Sequence, residues 1–187
     1  MDPRAVEQSR TRYAKAERAV SVLATDAQLA VIESAWAEFL ANAFGIYVKL
    51  EQGAKITPQS RQWFGSKKAE RKRDPLLTYV HQDRNAEQHG LEPVTARKLR
   101  NVTLRKQGEH AAFVWDGRQW VADLAASNFN AEPIVVLTRV YDDRFKQGFE
   151  VPSEHLGVPL PDQSPLTVAR AALVYLEAML SEAAALV

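Results

Sequence analysis

With 187 residues, 46% of them hydrophobic and 25% charged, the chain has an ordinary globular composition, which excludes a disordered or fibrous class and is most simply one domain. It contains no cysteine, which excludes a disulfide scaffold, a thiolate metal site and a cysteine nucleophile, and agrees with a reducing cytoplasm. The formal net charge is only +1 but is unevenly spread: from Gln59 to Lys106 twelve basic residues face five acidic ones, so this block carries +7 and the rest of the chain −6.

The N-terminal stretch is charged from its start and lacks the apolar core of a secretory signal, and no apolar run is expected to reach the length of a bilayer span. The expectation is a soluble cytoplasmic protein with no membrane partner. From about Ala5 to Leu23, Val6, Tyr13, Ala16, Val20 and Leu23 recur at helical intervals and predict a first helix. Thr25 followed by Gln28 has the form of a capping box and predicts a second helix running to about Gln52. Along it Leu29, Ile32, Trp36, Phe39, Ala43, Ile46 and Leu50 alternate steps of three and four, the seam of a bundle helix, with Trp36 and Phe39 as core anchors.

Gly53 and Pro58 end that helix, and the stretch from Ser60 to Asp74 is expected to be a connection. It interleaves Trp63 and Phe64 with Arg61, Lys67, Lys68, Arg71, Lys72 and Arg73. Basic residues beside aromatics can neutralise phosphates and stack bases, so Trp63, Lys67, Lys68, Arg71, Lys72 and Arg73 are candidates for nucleic-acid binding. The alternative is a surface turn whose aromatics tuck back into the core.

A helix punctuated at both ends follows: Asp74 as N-cap, Pro75 at the first helical position and Gly90 as the left-handed terminator. Leu76, Leu77 and Val80 supply its apolar face, while His81, Asn85 and His89 recur every four residues along one stripe. Arg84 and His89 lie about 140° apart around the axis, so the reach of the arginine must bring them to one phosphate. The helix C-terminus favours an imidazolium at His89, which suits a general acid. Alternatively, Arg84 pairs with Asp83 or Glu87 on a solvated face and His89 is a capping residue.

Beyond Gly90, Leu99 to Lys106 alternates as a strand does. Asp116-Gly117 is a two-residue hairpin signal between arms carrying Trp115 and Trp120. A second hairpin is expected around Asp142-Asp143, making an antiparallel sheet of four or five strands. His155 reads as a loop or first-turn residue without chemistry. Ser164 and Pro165 open a final helix with Leu166, Ala169, Leu173, Leu176, Leu180 and Ala183 in register.

The fold expectation is therefore α+β: a predominantly helical four-helix bundle, residues 5–90 and 163–187, with an antiparallel β insertion at 97–152 before the last helix. His81 and His89 are eight apart and no HExxH, Walker or nucleophile-elbow pattern occurs, so no metal site or cofactor is expected.

The sequence Arg84-Asn85 followed by His89 resembles the R-(polar)-x-x-x-H motif of the HEPN superfamily, all-helical domains that include metal-independent bacterial endoribonucleases of toxin and defence systems. The surrounding RDPLLTYVHQDRNAEQHG resembles small bacterial proteins with the same motif. The resemblance covers the helical parts of residues 1–187, and the strands lie outside the family's usual core. It implies an RNA substrate, a homodimer and an antitoxin-type protein partner. The catalytic candidates are Arg84, Asn85, His89 and His81: His89 as acid or base, Arg84 stabilising the phosphorane, Asn85 orienting His89, and His81 or a second copy of His89 making the other proton transfer. The alternative from another class is a non-catalytic module that grips nucleic acid or an acidic protein through the basic block.

Overall fold

The computed structural model describes residues 1–25, 27–89, 93–105, 113–115, 120–122, 128–142 and 146–187. For residues 88–89, 101–105, 113–115, 120–122 and 128–131 only the backbone is described. The chain is α+β and predominantly helical, with short strand pairs before the last helix. It divides into two compact units, one of residues 1–96 with 135–187 and one of residues 97–134.

In the larger unit α1 spans Pro3–Leu23, with Asp2 accepting from the Arg4 backbone N–H at 2.9 Å and Pro3 at the start. Its expected stripe is buried at Val6, Ala16, Val20 and Leu23. α2 spans Leu29–Gly53, and Trp36, Phe39, Leu40, Ile46 and Leu50 are wholly enclosed along it, because they share the face that α1, α4 and α5 cover. The expected capping box does not form: the Thr25 hydroxyl donates back to the Val22 carbonyl at 2.7 Å, and Gln28 opens α2 with no side-chain cap. α2 is also long and apolar enough to cross a bilayer, with mean hydropathy 1.3 over its most apolar window, contrary to the expectation that no run would be. The core helix of a soluble protein meets the same criterion.

The expected connection is a helix. α3 spans Pro58–Arg73 behind a capping box in which the Ser60 backbone N–H donates to Thr57 Oγ1 at 3.1 Å and the Thr57 backbone N–H donates to Ser60 Oγ at 3.4 Å. The bundle thus has five helices among the described residues rather than four. α3 buries only Ser60 and Phe64, so its sequence lacks the apolar periodicity that announces a helix, and its box uses serine where Glu or Gln is usual. α4 spans Pro75–His89 and starts as expected, with the Leu77 backbone N–H donating to Asp74 Oδ1 at 2.8 Å; Gly90 lies outside the described residues. α5 spans Pro165–Ala184 and is capped by Ser164, which accepts from the Thr167 backbone N–H at 3.2 Å.

Among the described residues the strands form four two-stranded pairs instead of one sheet. β1 (Thr95–Arg105) pairs with β4 (Asn128–Leu137), and Arg100 clamps Glu132 with two hydrogen bonds of 2.6 and 3.2 Å. β2 (Phe113–Trp115) and β3 (Trp120–Ala122) are antiparallel with Trp115 opposite Trp120. Residues 116–119, with the expected Asp116-Gly117 turn, lie outside the described residues. β5 (Val140–Asp142) pairs with β6 (Gln147–Phe149), the second expected hairpin.

β7 (Glu154–His155) pairs with β8 (Val158–Pro159) through a tight turn in which Leu156 and Gly157 have φ of 50° and 77°. Two positive φ values in sequence match the twist of a two-residue hairpin, and glycine fills the second without cost. Leu156 is the strained member, and its backbone N–H is held by Asp74 Oδ2 at 2.7 Å.

Two helical glycines separate close packing from mere propensity. A Cβ on Gly53 would overlap Ala5 Cβ at the α1–α2 contact, whereas one on Gly65 meets nothing within 4 Å. Gly53→Ala is therefore expected to destabilise the chain by about 1–3 kcal/mol and Gly65→Ala to stabilise it by up to about 1 kcal/mol. Urea denaturation of the two variants checks the opposite signs, and equal signs would refute the packing argument.

Candidate functional site

α4 carries the sequence-predicted residues, and its contact with α2 decides where they point. His81 and Arg84, three residues apart, both turn onto Phe44 of α2. The Arg84 guanidinium carbon is 3.8 Å from the Phe44 ring centroid, and the His81 ring is stacked on Phe44 at 5.6 Å and 21°. Arg84 Nη1 donates to Asn85 Oδ1 at 3.4 Å, and Asn85 Nδ2 donates to Gln82 Oε1 at 3.4 Å, both near the outer limit of a useful bond. Arg84 Nε is buried without a hydrogen-bond partner. No ion pair engages Arg84 among the described side chains. The His89 side chain, and with it the expected Asn85–His89 contact, lies outside the described residues.

Electrostatics give the two helical side chains different roles. Burial, followed by the charges of Arg71 and Arg84, lowers the His81 pKa to about 4. His81 is therefore neutral at pH 7, a hydrogen-bonding group and not the protonated acid that a second proton transfer would use. Burial also lowers the Arg84 pKa, opposed by Glu87, yet a guanidinium stays charged throughout the working range.

The basic stretch on α3 is divided by its neighbours. The Trp63 indole N–H donates to Glu182 Oε2 at 2.8 Å, and Lys67 Nζ reaches Glu182 at 2.8 Å and Glu70 at 3.4 Å while lying 5.7 Å from the Tyr175 ring centroid. Tyr175 itself donates to Glu70 at 2.8 Å. Trp63 and Lys67 thus fasten α3 to α5. Lys68 pairs with Glu51 at 2.9 Å, but both side chains are nearly half exposed, where such a pair contributes at most about 1 kcal/mol and yields readily to a competing anion. Lys72 and Arg73 are exposed, with Arg73 Nε turned to the Ala69 carbonyl at 3.4 Å.

Arg71 behaves differently. Its guanidinium carbon lies 5.1 Å from the centroid of Tyr47, and no carboxylate engages it among the described side chains. Arg71 and His81 line one narrow cleft between α2, α4 and α5, with Phe44, Tyr47, Leu77 and Leu176 among its walls and an interior volume of about 20 Å³, room for a water-sized guest.

Sequence reasoning missed Phe44 and Tyr47, which carry the two arginines. They stand beside the α2 seam of Ala43 and Ile46, so nothing in the periodicity of α2 singles them out. His155, expected in a loop or first turn, lies in β7. His155 Nδ1 lies 3.0 Å from Asp74 Oδ1, and its ring meets Tyr175 edge-on. Among the described residues no group of three His, Asp or Glu side chains is placed to hold a metal ion. No family model, curated protein or solved structure matches this chain.

Asp83, adjacent to Arg84, turns into the core against Trp36 of α2. It is fully enclosed, accepts from the Trp36 indole N–H at 2.8 Å through Oδ2, and has no partner for Oδ1. Burial pushes its carboxyl up to about 8, opposed by the Trp36 hydrogen bond and reinforced by Glu87. The folded state therefore holds a proton that the unfolded chain releases above its ordinary value of 3.8. The stabilisation is complete below that value and is lost as pH rises towards about 8, where it levels off. Asp83→Asn is expected to flatten this slope, which is at most about 1.4 kcal/mol per pH unit, whatever constant offset the amide adds. Urea midpoints from pH 4 to 9 check this, and parallel wild-type and variant profiles would contradict it.

Proposed function

We propose that this chain is a metal-independent endoribonuclease of the HEPN type, built on Arg84, Asn85 and His89 and working in the cytoplasm as a homodimer. The observation that carries the reading is Arg84: a guanidinium laid on Phe44, with Nε unbonded and no carboxylate on it among the described side chains, five residues before His89 on the same helix. This arginine is held on an aromatic face with no carboxylate against it among the described side chains. Its position within the basic block agrees with a polyanionic substrate.

In this mechanism the 2′-hydroxyl of the substrate attacks the adjacent phosphorus and loses its proton to a base, while the 5′-oxygen leaves and gains a proton from an acid. The products are a 2′,3′-cyclic phosphate and a 5′-hydroxyl. Arg84 stabilises charge on the non-bridging oxygens, and His89 performs one proton transfer. With its pKa lowered, His81 is a poor acid and only a weak base, so the second transfer is assigned to His89 of a second copy. DNA lacks the attacking hydroxyl and is spared. An antitoxin-type partner that covers Arg84 and His89 would restrain the activity.

One observation favours a second reading, a non-catalytic module that binds nucleic acid: the site contains a neutral His81 and cations seated on aromatic rings, a binding arrangement that needs no proton transfer.

The expected result is cleavage of single-stranded RNA in the presence of a chelator, with cyclic phosphate ends, and no cleavage of DNA of the same sequence. Arg84→Ala and His89→Ala are each expected to slow cleavage by about 10²-fold or more. If both variants cut as fast as the parent, the activity is a contaminant's. RNA binding without any cleavage selects the module.

A further inference from the structure

Arg71 and His81, which the cleavage mechanism leaves unused, line one cleft with Phe44, the ring on which Arg84 lies. Phe44 and Tyr47 are three residues apart on α2, so their rings are neighbours about 5 Å apart along the axis. Each carries a guanidinium: Arg84 from α4 on Phe44, and Arg71 from the last turn of α3 on Tyr47. His81 is stacked on Phe44 and shares the cleft with Arg71. Arg71 and His81 thus line one cleft, and Arg84 lies on Phe44, one of its walls.

The carboxylates nearby are committed elsewhere. Glu70 accepts from Tyr175 and Lys67, and Asp74 accepts from the Leu77 and Leu156 backbone and lies against His155. Glu87, on α4, bears on Arg84 without closing to an ion pair among the described side chains. Bringing like charges together without a counter-charge is unfavourable, and a fork of N–H donors on each guanidinium suits an oxyanion.

From this arrangement we infer that Arg71, His81 and Arg84 form an oxyanion subsite for a dianionic phosphate monoester, with the imidazole of His81 as a hydrogen-bond donor. A monoester matches two positive charges where an internal phosphodiester, with one negative charge, does not. The cleft beneath holds about 20 Å³, too little for a base or an acyl chain, so recognition rests on the phosphate itself. The source is a chain-end phosphate of a nucleic acid or a free small-molecule monoester. The inference deepens the reading of Arg84 as a phosphate ligand but requires neither cleavage nor His89.

The test is calorimetric titration of inorganic phosphate into the full chain carrying His89→Ala, at low ionic strength. Saturable binding is expected, weakened about tenfold or more by Arg71→Gln and by Arg84→Gln, and unchanged by Arg18→Gln on the exposed face of α1. Should the glutamine variants fail to fold, the His81 ring signals of the parent chain decide by NMR, since phosphate is expected to shift them. Binding indifferent to Arg71→Gln, or His81 signals that stay still at saturation, would overturn the inference. A 5′-phosphorylated oligoribonucleotide that binds more tightly than its 5′-hydroxyl counterpart identifies a chain end as the source. Equal weak binding of both oligomers beside saturable inorganic phosphate identifies a free monoester. Because His89 is already replaced, the absence of RNA cleavage leaves this result untouched, and failure of phosphate binding leaves the cleavage assay free to succeed.

Discussion

A single enclosed carboxylate, Asp74, sets the geometry on which the rest depends. Its backbone N–H closes the last turn of α3 on the Glu70 carbonyl at 3.0 Å, and its side chain opens α4 by accepting from Leu77. With no linker between the two helices, the turn at Asp74 and Pro75 fixes their relative direction. Its second oxygen holds the strained Leu156, and His155 lies against the first. A buried carboxylate is costly unless its lone pairs are occupied, and here its partners come from the first turn of α4 and from the β7–β8 turn. The β7–β8 turn is thereby fastened to the bundle.

The direction given to α3 and α4 brings Arg71 and Arg84 to adjacent rings of α2. Neither arginine finds a carboxylate there among the described side chains, and each sits on an aromatic face, an interaction of about 0.5–2 kcal/mol. Lys67 makes the opposite choice, held by Glu70 and Glu182 with its side chain mostly covered. The basic block thus sorts into cations that fasten helices together and cations that remain on offer. Charge counts along a sequence do not make that distinction.

α4 also shows how position alone separates two aspartates. Asp74 is saturated with donors, whereas Asp83 has the Trp36 indole and an unbonded oxygen, so burial dominates and its carboxyl is driven up to about 8. Asp83 is therefore part of the α2–α4 core, and the alternative in which it pairs with Arg84 on a solvated face does not hold. Arg84 is left to Phe44, which is what makes it a candidate for binding.

Much of the helical layout could be read from one dimension because it is set by local chemistry. The caps at Asp74-Pro75 and Ser164-Pro165 and the step of three and four through Trp36, Phe39, Ile46 and Leu50 act within a few residues, so the chain determined them unaided. α3 escaped because it buries little apolar surface, and the Thr25–Gln28 box failed because Thr25 found a nearer carbonyl at Val22. What the tertiary structure decided was partnership across distance: Asp74 with Leu156, Asp83 with Trp36, Arg71 with Tyr47 and Arg84 with Phe44. A side chain's charge state and availability depend on what is packed against it, and residues far apart in sequence meet only once the helices have taken their angles.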